Sequence, residues 1–338
     1  MALRSMYSGI SGMKVNQAKL DVIGNNIANV DTTSFKSSRA EFSDMLYQNS
    51  SEATAPTTAK GGTNAKQVGL GAQLASINKV MGQGNALSTG RSLDVCVDGD
   101  GYLMVSKGPA NGVIKVAANA IVSTGTTVDQ TLYTRDGNLT LDQYGNLLTS
   151  DGYRVMGYAE TAGSAKSIVR NDTTGAITTA VVDPNGTTKP VADESQLIPL
   201  SIPDSVGATA SAAGDPITKF VIGKDGVITA TLGSGAMTVL GQVALASFKN
   251  PEGLTGIGGN MLDVSSNSGS AIIKSGVGSA TDNSKGYGDI TQGCLEASNV
   301  DLTEQFTDMI TATRSFQAAG KMITTGDEIL QTITGLMR

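Results

Sequence analysis

The chain has 338 residues, enough for about two domains and a substantial core. Its 24 basic and 30 acidic residues give a formal net charge of -6, which excludes the basic surface that nucleic-acid binding needs. Histidine is absent and there are only two cysteines, so the commonest general base and most metal and disulfide frameworks are also excluded.

The first predicted element is an amphipathic helix over residues 1–30. Apolar side chains recur along it every seven residues, with a second series in the adjacent positions. The two series include Met6, Ile10, Met13, Leu20 and Ile27. Glycines also lie inside this helix, and each costs about 1 kcal/mol relative to alanine. The helix is therefore expected to need a partner.

The middle of the chain changes to a two-residue alternation. Residues 31–90 are predicted to be a connector with extended or hairpin structure, in which 49–67 form a polar linker. A β-rich wall domain is predicted in two stretches, 91–159 and 197–290, where Asp-Gly and Gly-Asn pairs mark hairpin turns. Residues 160–196 are predicted to be an inserted loop or a small outer subdomain.

The last predicted element, in residues 291–338, is a second long helix. Asp301, followed by Glu304, predicts its N-terminal cap. Its apolar positions again follow a seven-residue period and include Phe306, Met309, Phe316, Ile323, Leu330 and Met337. This helix too contains glycines, so it is not expected to be well ordered alone.

These elements predict an α+β, multidomain fold. The long terminal helices would form a coiled-coil-like inner domain, and the outer body would be mainly antiparallel β. From the residues alone, the apolar series of the helices fit packing within one chain as well as packing between subunits. The glycines favour subunit contacts, because small residues let neighbouring helices approach closely.

Several motifs resemble those of flagellar rod and hook proteins. The segments that carry the resemblance are Tyr7–Met13, Asp21–Lys36, Gln67–Gly71, Gln83–Gly90, Asp98–Tyr102 and Leu295–Ile310. The resemblance implies a subunit of a polymeric tube, with terminal helices inside and β structure outside. Ser34 departs from the family, whose members often carry glycine there. A backbone with positive φ at this position would be strained by serine.

Within the family, residues 241–254 and 303–309 are more similar to the hook protein than to the distal rod protein, and the insertion at 160–196 is taken to agree. The resemblance thus implies a subunit of the flagellar hook, the curved joint that transmits torque, with the distal rod as the alternative. Its implied partners are copies of itself, the distal rod protein, the hook-filament junction protein, the hook cap and the flagellar type III export apparatus. The implied location is the hook or basal body, outside the cell after export, which agrees with the lack of a cleavable signal.

No catalytic residue, metal or cofactor is expected, and the chain is therefore not expected to be an enzyme. A secreted β-rich adhesin or binding module is an alternative, and it would be stable without the helical ends. Cys96 and Cys294 are each expected to be a small, buried or half-buried apolar residue. Whether either of them forms a cross-link is left open.

Overall fold

A computed structural model shows a mainly β protein with one long helix at each end. The helices are α1 (Ala2–Ala28) and α2 (Leu302–Leu336), which confirms the two predicted terminal helices. The predicted contact residue Met337 lies outside the described residues. The structure describes residues 2–58, 60–109, 111–116, 128–162, 165–170, 177–184, 190–193, 195–207, 214–274 and 288–336.

The chain divides into two compact units. We call the first the helical unit; it consists of Met1–Asp31, Phe35–Gly82 and Asn299–Arg338. The second, the β unit, consists of Thr32–Ser34 and Gln83–Ser298. Each unit is thus assembled from segments that are distant in sequence.

Beside its helices, the helical unit contains a ribbon that is two strands wide. It consists of two consecutive two-stranded sheets, with four strands in all. Its strands are β1 (Ser38–Asp44), β2 (Tyr47–Ser51), β3 (Lys66–Gly69) and β4 (Ala72–Lys79). β1 pairs with β4 and β2 pairs with β3, both antiparallel. Every residue of β2 and β3 is exposed. The prediction of a polar linker over 49–67 is wrong at both ends of that segment, where the chain forms the outer strands of the ribbon.

α2 begins as the sequence predicts and then satisfies many of its own polar groups. Asp301 Oδ1 accepts hydrogen bonds from the backbone N–H groups of Thr303 and Glu304, at 2.8 and 3.3 Å, and so caps the helix. Several threonine hydroxyls donate to carbonyls one turn back, at 2.8 to 3.0 Å. These residues are Thr307, Thr311, Thr313, Thr324, Thr325, Thr332 and Thr334.

The β unit is built from short strands, and all pairings between its described strands are antiparallel. The first of them are β5 (Ala86–Ser88), β6 (Val95–Asp98), β7 (Tyr102–Lys107), β8 (Ile114–Lys115), β9 (Gln130–Thr134), β10 (Leu139–Leu141), β11 (Leu147–Thr149), β12 (Arg154–Tyr158), β13 (Glu160–Ala162), β14 (Ala165–Lys166), β15 (Ile168–Arg170) and β16 (Ile177–Thr179). The rest are β17 (Val191–Ala192), β18 (Gln196–Pro199), β19 (Ser205–Val206), β20 (Asp215–Ile222), β21 (Val227–Leu232), β22 (Met237–Val243), β23 (Leu245–Ser247), β24 (Thr255–Gly258), β25 (Met261–Asp263), β26 (Ile272–Lys274), β27 (Asp289–Gln292) and β28 (Cys294–Glu296).

One large sheet organises this unit. Its main path runs β19-β20-β21-β22-β12-β7-β9-β25-β24. Alternate residues of its strands share one face and pack into the main core, while central strands such as β7 and β22 are buried on both faces. This core includes Leu103, Val105, Leu132, Val155 and Ile228.

Ser34 adopts the positive φ that the glycine of other family members would allow at this position. Its φ is 57°, in the left-handed region. Two bonds hold it there: Ser34 Oγ donates to the carbonyl of Arg135 at 2.7 Å, and Ser34 N donates to the carbonyl of Glu296 at 2.8 Å. The side-chain bond, which glycine could not make, offsets part of the strain.

Candidate functional site

The two long helices of the helical unit pack against each other along a seam lined by glycine. A Cβ at Gly9 would lie 3.2 Å from Ile323 Cγ1, and one at Gly326 would lie 3.1 Å from Met6 Cγ. Lys19 Nζ adds an ion pair to Asp308 Oδ2 at 3.2 Å. The glycines that weaken each helix therefore allow close contact within one chain.

The residues predicted to contact other subunits fall into two groups. Ile10, Phe306 and Phe316 are 37%, 47% and 38% exposed. The others with described side chains are half-buried, namely Met6, Met13, Leu20, Ile27, Met309, Ile323 and Leu330. The half-buried group includes residues of the seam, so part of its apolar surface is already covered within the chain.

Other apolar side chains of the helical unit remain exposed. On α2 they include Ile310, Met322, Ile329, Ile333 and Leu336, and on α1 they include Tyr7. None of these residues was among the contacts predicted from the sequence. Among the described residues, neither helix has an apolar run long enough to cross a bilayer.

A groove of about 640 Å³ lies between α1 and the ribbon. Its walls are almost entirely apolar, with Lys14 as the charged side chain on them. The apolar lining includes Tyr7, Ile10, Val15, Met45, Leu70 and Leu74. Further apolar side chains of the ribbon are exposed, notably Leu46 and Ile77. A two-stranded ribbon with this surface is marginal in water by itself, so it is suited to being covered by other molecules.

Two asparagines fix the helices to the ribbon. Asn26 is 1% exposed; its Nδ2 donates to the Ser38 carbonyl at 2.8 Å, and its Oδ1 accepts from Ser38 N at 2.9 Å. Asn299 Oδ1 accepts from Ser37 N at 2.7 Å, and its Nδ2 donates to the Val80 carbonyl at 2.7 Å. Sequence reasoning did not select either residue. Their presence inside the recognised terminal motifs was the available signal.

Inside the β unit, a buried ion pair joins distant strands. Arg135 Nε donates to Glu296 Oε2 at 2.8 Å, and Arg135 Nη2 donates to the carbonyls of Val97 and Gly99 at 3.0 and 2.8 Å. The second carboxylate oxygen, Glu296 Oε1, accepts from Gly84 N at 2.9 Å. Both charges are therefore compensated by good geometry, as buried charges must be.

Glu160 is a second buried carboxylate, and no hydrogen bond of the described structure reaches its side-chain oxygens. Burial, together with the nearby charge of Asp225, raises the pKa of Glu160 to about 7. The folded protein therefore binds a proton here that the unfolded chain, with a pKa near 4.5, has already released at neutral pH.

Replacing Glu160 with glutamine is expected to stabilise the protein at pH 8 by about 2–3 kcal/mol more than at pH 4.5. Below the unfolded pKa both states of the wild type are protonated, so glutamine gains no electrostatic advantage. Between pH 4.5 and 7 only the unfolded wild type releases the proton, so the wild type loses stability over this window, and above pH 7 the loss stays constant. Thermal unfolding followed by tyrosine near-UV dichroism at several pH values measures this difference. Glu52→Gln, at an exposed position, is the control, and a pH-independent effect of Glu160→Gln would contradict the assignment.

A mainly antiparallel β protein whose terminal helices and ribbon leave apolar side chains uncovered has the features of a structural subunit that assembles with others. Three family models match this chain. "Flagella basal body rod protein" matches residues 6–36, "Flagellar hook protein FlgE/F/G D1 domain" matches 122–230, and "Flagellar basal body rod FlgEFG protein C-terminal" matches 291–336.

Curated relatives match along nearly the whole chain. The flagellar basal-body rod protein FlgG of Bacillus subtilis is 38% identical over 336 residues, covering 99% of this chain and 100% of the relative. The flagellar hook protein FlgE of Borreliella burgdorferi is 30% identical over 451 aligned positions, covering 99% of each. A crystal structure of the Helicobacter pylori flagellar hook protein FlgE2 has a TM-score of 0.39 and 10% identity, covering 62% of this chain and 100% of that one.

The chain belongs to the family of flagellar hook and basal-body rod proteins, structural components of the bacterial flagellum. This confirms the resemblance seen in the terminal motifs. A rod protein also aligns across the segment 160–196, so this insertion does not distinguish a hook protein from a rod protein.

Proposed function

We propose that this chain polymerises through its helical unit into the tube of the flagellar hook. The observation that carries the proposal is the uncovered apolar face of α2, on which Met322, Ile329 and Ile333 are each about half exposed. Fully burying side chains of this kind is worth about 1.5–3 kcal/mol each. Contacts between copies of the chain would supply that burial.

In the proposed tube, the helical units form a coiled-coil-like inner layer and the β units form the outer wall. The exposed residues Ile10, Phe306 and Phe316 would contact neighbouring copies together with the uncovered face of α2. The half-buried predicted residues would contact neighbouring copies through the part of each side chain that the seam does not cover. The division of the chain into inner helices, connector, wall domain and the insertion at 160–196 is part of this proposal.

The distal rod is the second candidate, and the length of a related rod protein favours it. The Bacillus subtilis rod protein aligns over 336 residues, close to the length of this chain, whereas the Borreliella burgdorferi hook protein needs 451 aligned positions. The motif similarity in residues 241–254 and 303–309 favours the hook. The shape of the polymer decides between the two, since a hook is curved and a rod is straight.

The proposal also includes the partners that the family resemblance implies. The chain would leave the cell through the flagellar type III export apparatus and assemble beneath the hook cap. The distal rod protein would contact one end of the tube, and the hook-filament junction protein the other.

Electron microscopy of the purified chain at rising concentration tests the proposal. Curved tubes are expected from the full chain, and monomers from a truncation that lacks residues 1–30 and 299–338. Circular dichroism of the truncated chain controls for loss of the β fold. Straight tubes would favour the rod. If the full chain stayed monomeric at all concentrations, even with preformed seeds, the proposed self-assembly would be wrong.

A further inference from the structure

Two cysteines that are distant in sequence lie near each other in the interior of the β unit. Cys96 lies in β6 and Cys294 begins β28, and both are buried free thiols. Cys294 Sγ donates to the carbonyl of Thr291 at 3.3 Å, and Thr291 is the residue directly opposite Cys96 in the β6–β27 pairing. The Cys294 thiol therefore lies beside the backbone position that faces Cys96.

The backbone around both thiols is held in place by the buried arginine. Arg135 donates to the carbonyl of Val97, next to Cys96, and to the carboxylate of Glu296, two residues after Cys294. One guanidinium thus fixes β6 and β28 relative to each other. A disulfide needs the two Cα atoms within about 7 Å of each other and Cβ atoms that point toward each other. A rigid frame that holds β6 next to β28 therefore favours the bond.

We propose that Cys96 and Cys294 are a modification site, at which a small-molecule disulfide such as oxidised glutathione converts the two thiols into an intramolecular disulfide. One cysteine thiolate attacks a sulfur of the oxidant and releases one glutathione thiol. The other cysteine then attacks the protein sulfur of the mixed disulfide and releases the second. The two cysteines lose two protons and two electrons, and the oxidant is reduced to two thiols.

The surroundings of the pair keep the reaction slow in the folded protein. Burial, more than the neighbouring Cys294 and the Glu296 carboxylate, raises the pKa of Cys96 to about 11, and the Arg135 charge opposes this rise only in part. Because of this raised pKa, the Cys96 thiolate is scarce at neutral pH. The reaction is slow because the thiolate is the species that attacks. The dithiol is therefore the form expected in a reducing compartment, and slow oxidation is expected outside one.

The position of the bond gives it a mechanical role. The chain enters the main part of the β unit at Gln83 and leaves it at Ser298, and β5 pairs with β28 just inside these two points. A force that pulls the entry and exit apart separates β5 from β28 first. The last residue pair between these two strands is Ser88 with Cys294. Once that pair has separated, the disulfide between Cys294 and Cys96 would be the next connection to carry the force, and it holds β28 to β6. It would stop the opening before the core is exposed.

The test is a thiol count on the full chain after incubation with oxidised glutathione at pH 8, followed by denaturation, alkylation with iodoacetamide and intact mass measurement. The expected product is a monomer that has lost two hydrogens, carries no glutathione and takes up no iodoacetamide, and dithiothreitol should reverse the change. Its thermal midpoint should exceed that of the reduced chain by about 5–10 °C.

Cys96→Ser and Cys294→Ser are the matched controls, and neither should show the rise in thermal midpoint. The comparison of reduced and oxidised wild type decides the question even if a variant does not fold. Two alkylated thiols after prolonged incubation, stable glutathione adducts or a disulfide-linked dimer would each overturn the proposal. Since the readout concerns the single chain, its failure leaves the proposed polymerisation unaffected.

Discussion

Replacing Arg135 with methionine is expected to destabilise the β unit by about 3–5 kcal/mol. The substitution leaves the Glu296 carboxylate buried without its cation and removes the bonds to the carbonyls of Val97 and Gly99. In a unit of this size, the thermal midpoint should fall by about 8–15 °C. Thermal unfolding monitored by circular dichroism measures the change.

Lys166→Met provides the matched control for this prediction. It removes an ion pair with Asp193, at 3.0 Å, whose lysine is largely exposed, and pairs of that kind contribute at most about 1 kcal/mol. Adding Glu296→Gln to Arg135→Met should recover part of the loss, because the buried charge is then removed. Equal effects of Arg135→Met and Lys166→Met would show that the buried pair contributes no more than the exposed one.

Replacing Gly326 with leucine is expected to raise the concentration needed for polymerisation by about tenfold or more. The new side chain would start 3.1 Å from Met6 Cγ and push the two helices apart. Overpacking of this kind costs about 1–3 kcal/mol, and each 1.4 kcal/mol changes an association constant about tenfold. Sedimentation of polymers over a concentration series gives the threshold directly.

Gly335→Leu is the control, because no atom of the described residues lies within 4 Å of a Cβ at that position. Leucine there gains helix propensity without a clash, so polymerisation should not be impaired. If Gly326→Leu and Gly335→Leu polymerise at the same concentration, the packing of α1 on α2 is not required for assembly.

The sequence predicted those parts of the fold whose signal is local. The seven-residue period identified both helices, and Asp301 marked the start of α2. Turn pairs and two-residue alternation likewise indicated the antiparallel β body. In each of these the pattern of residues follows from which side of the element is buried.

Only extended or hairpin structure in general was predicted over residues 31–90, and the individual strands of the ribbon could not be located in the same way. β2 and β3 bury no side chain, so their residues show no alternation and resemble a linker. Long-range side-chain contacts were missed for a different reason. The roles of Asn26 and Arg135 depend on partners far away in sequence, and a single sequence does not show which residues will meet. The same holds for the pairing of Cys96 with Cys294.

The threonines of α2 affect how a neighbouring helix could rest on it. Their hydroxyls already donate to the helix's own carbonyls. These threonines therefore contribute few directional bonds that would fix the register of a neighbouring helix. In a bent tube, rows of subunits on the outside of the curve must be longer than rows on the inside. Such helices could accommodate the difference by slipping a fraction of a turn, without breaking any hydrogen bond donated by these threonine hydroxyls.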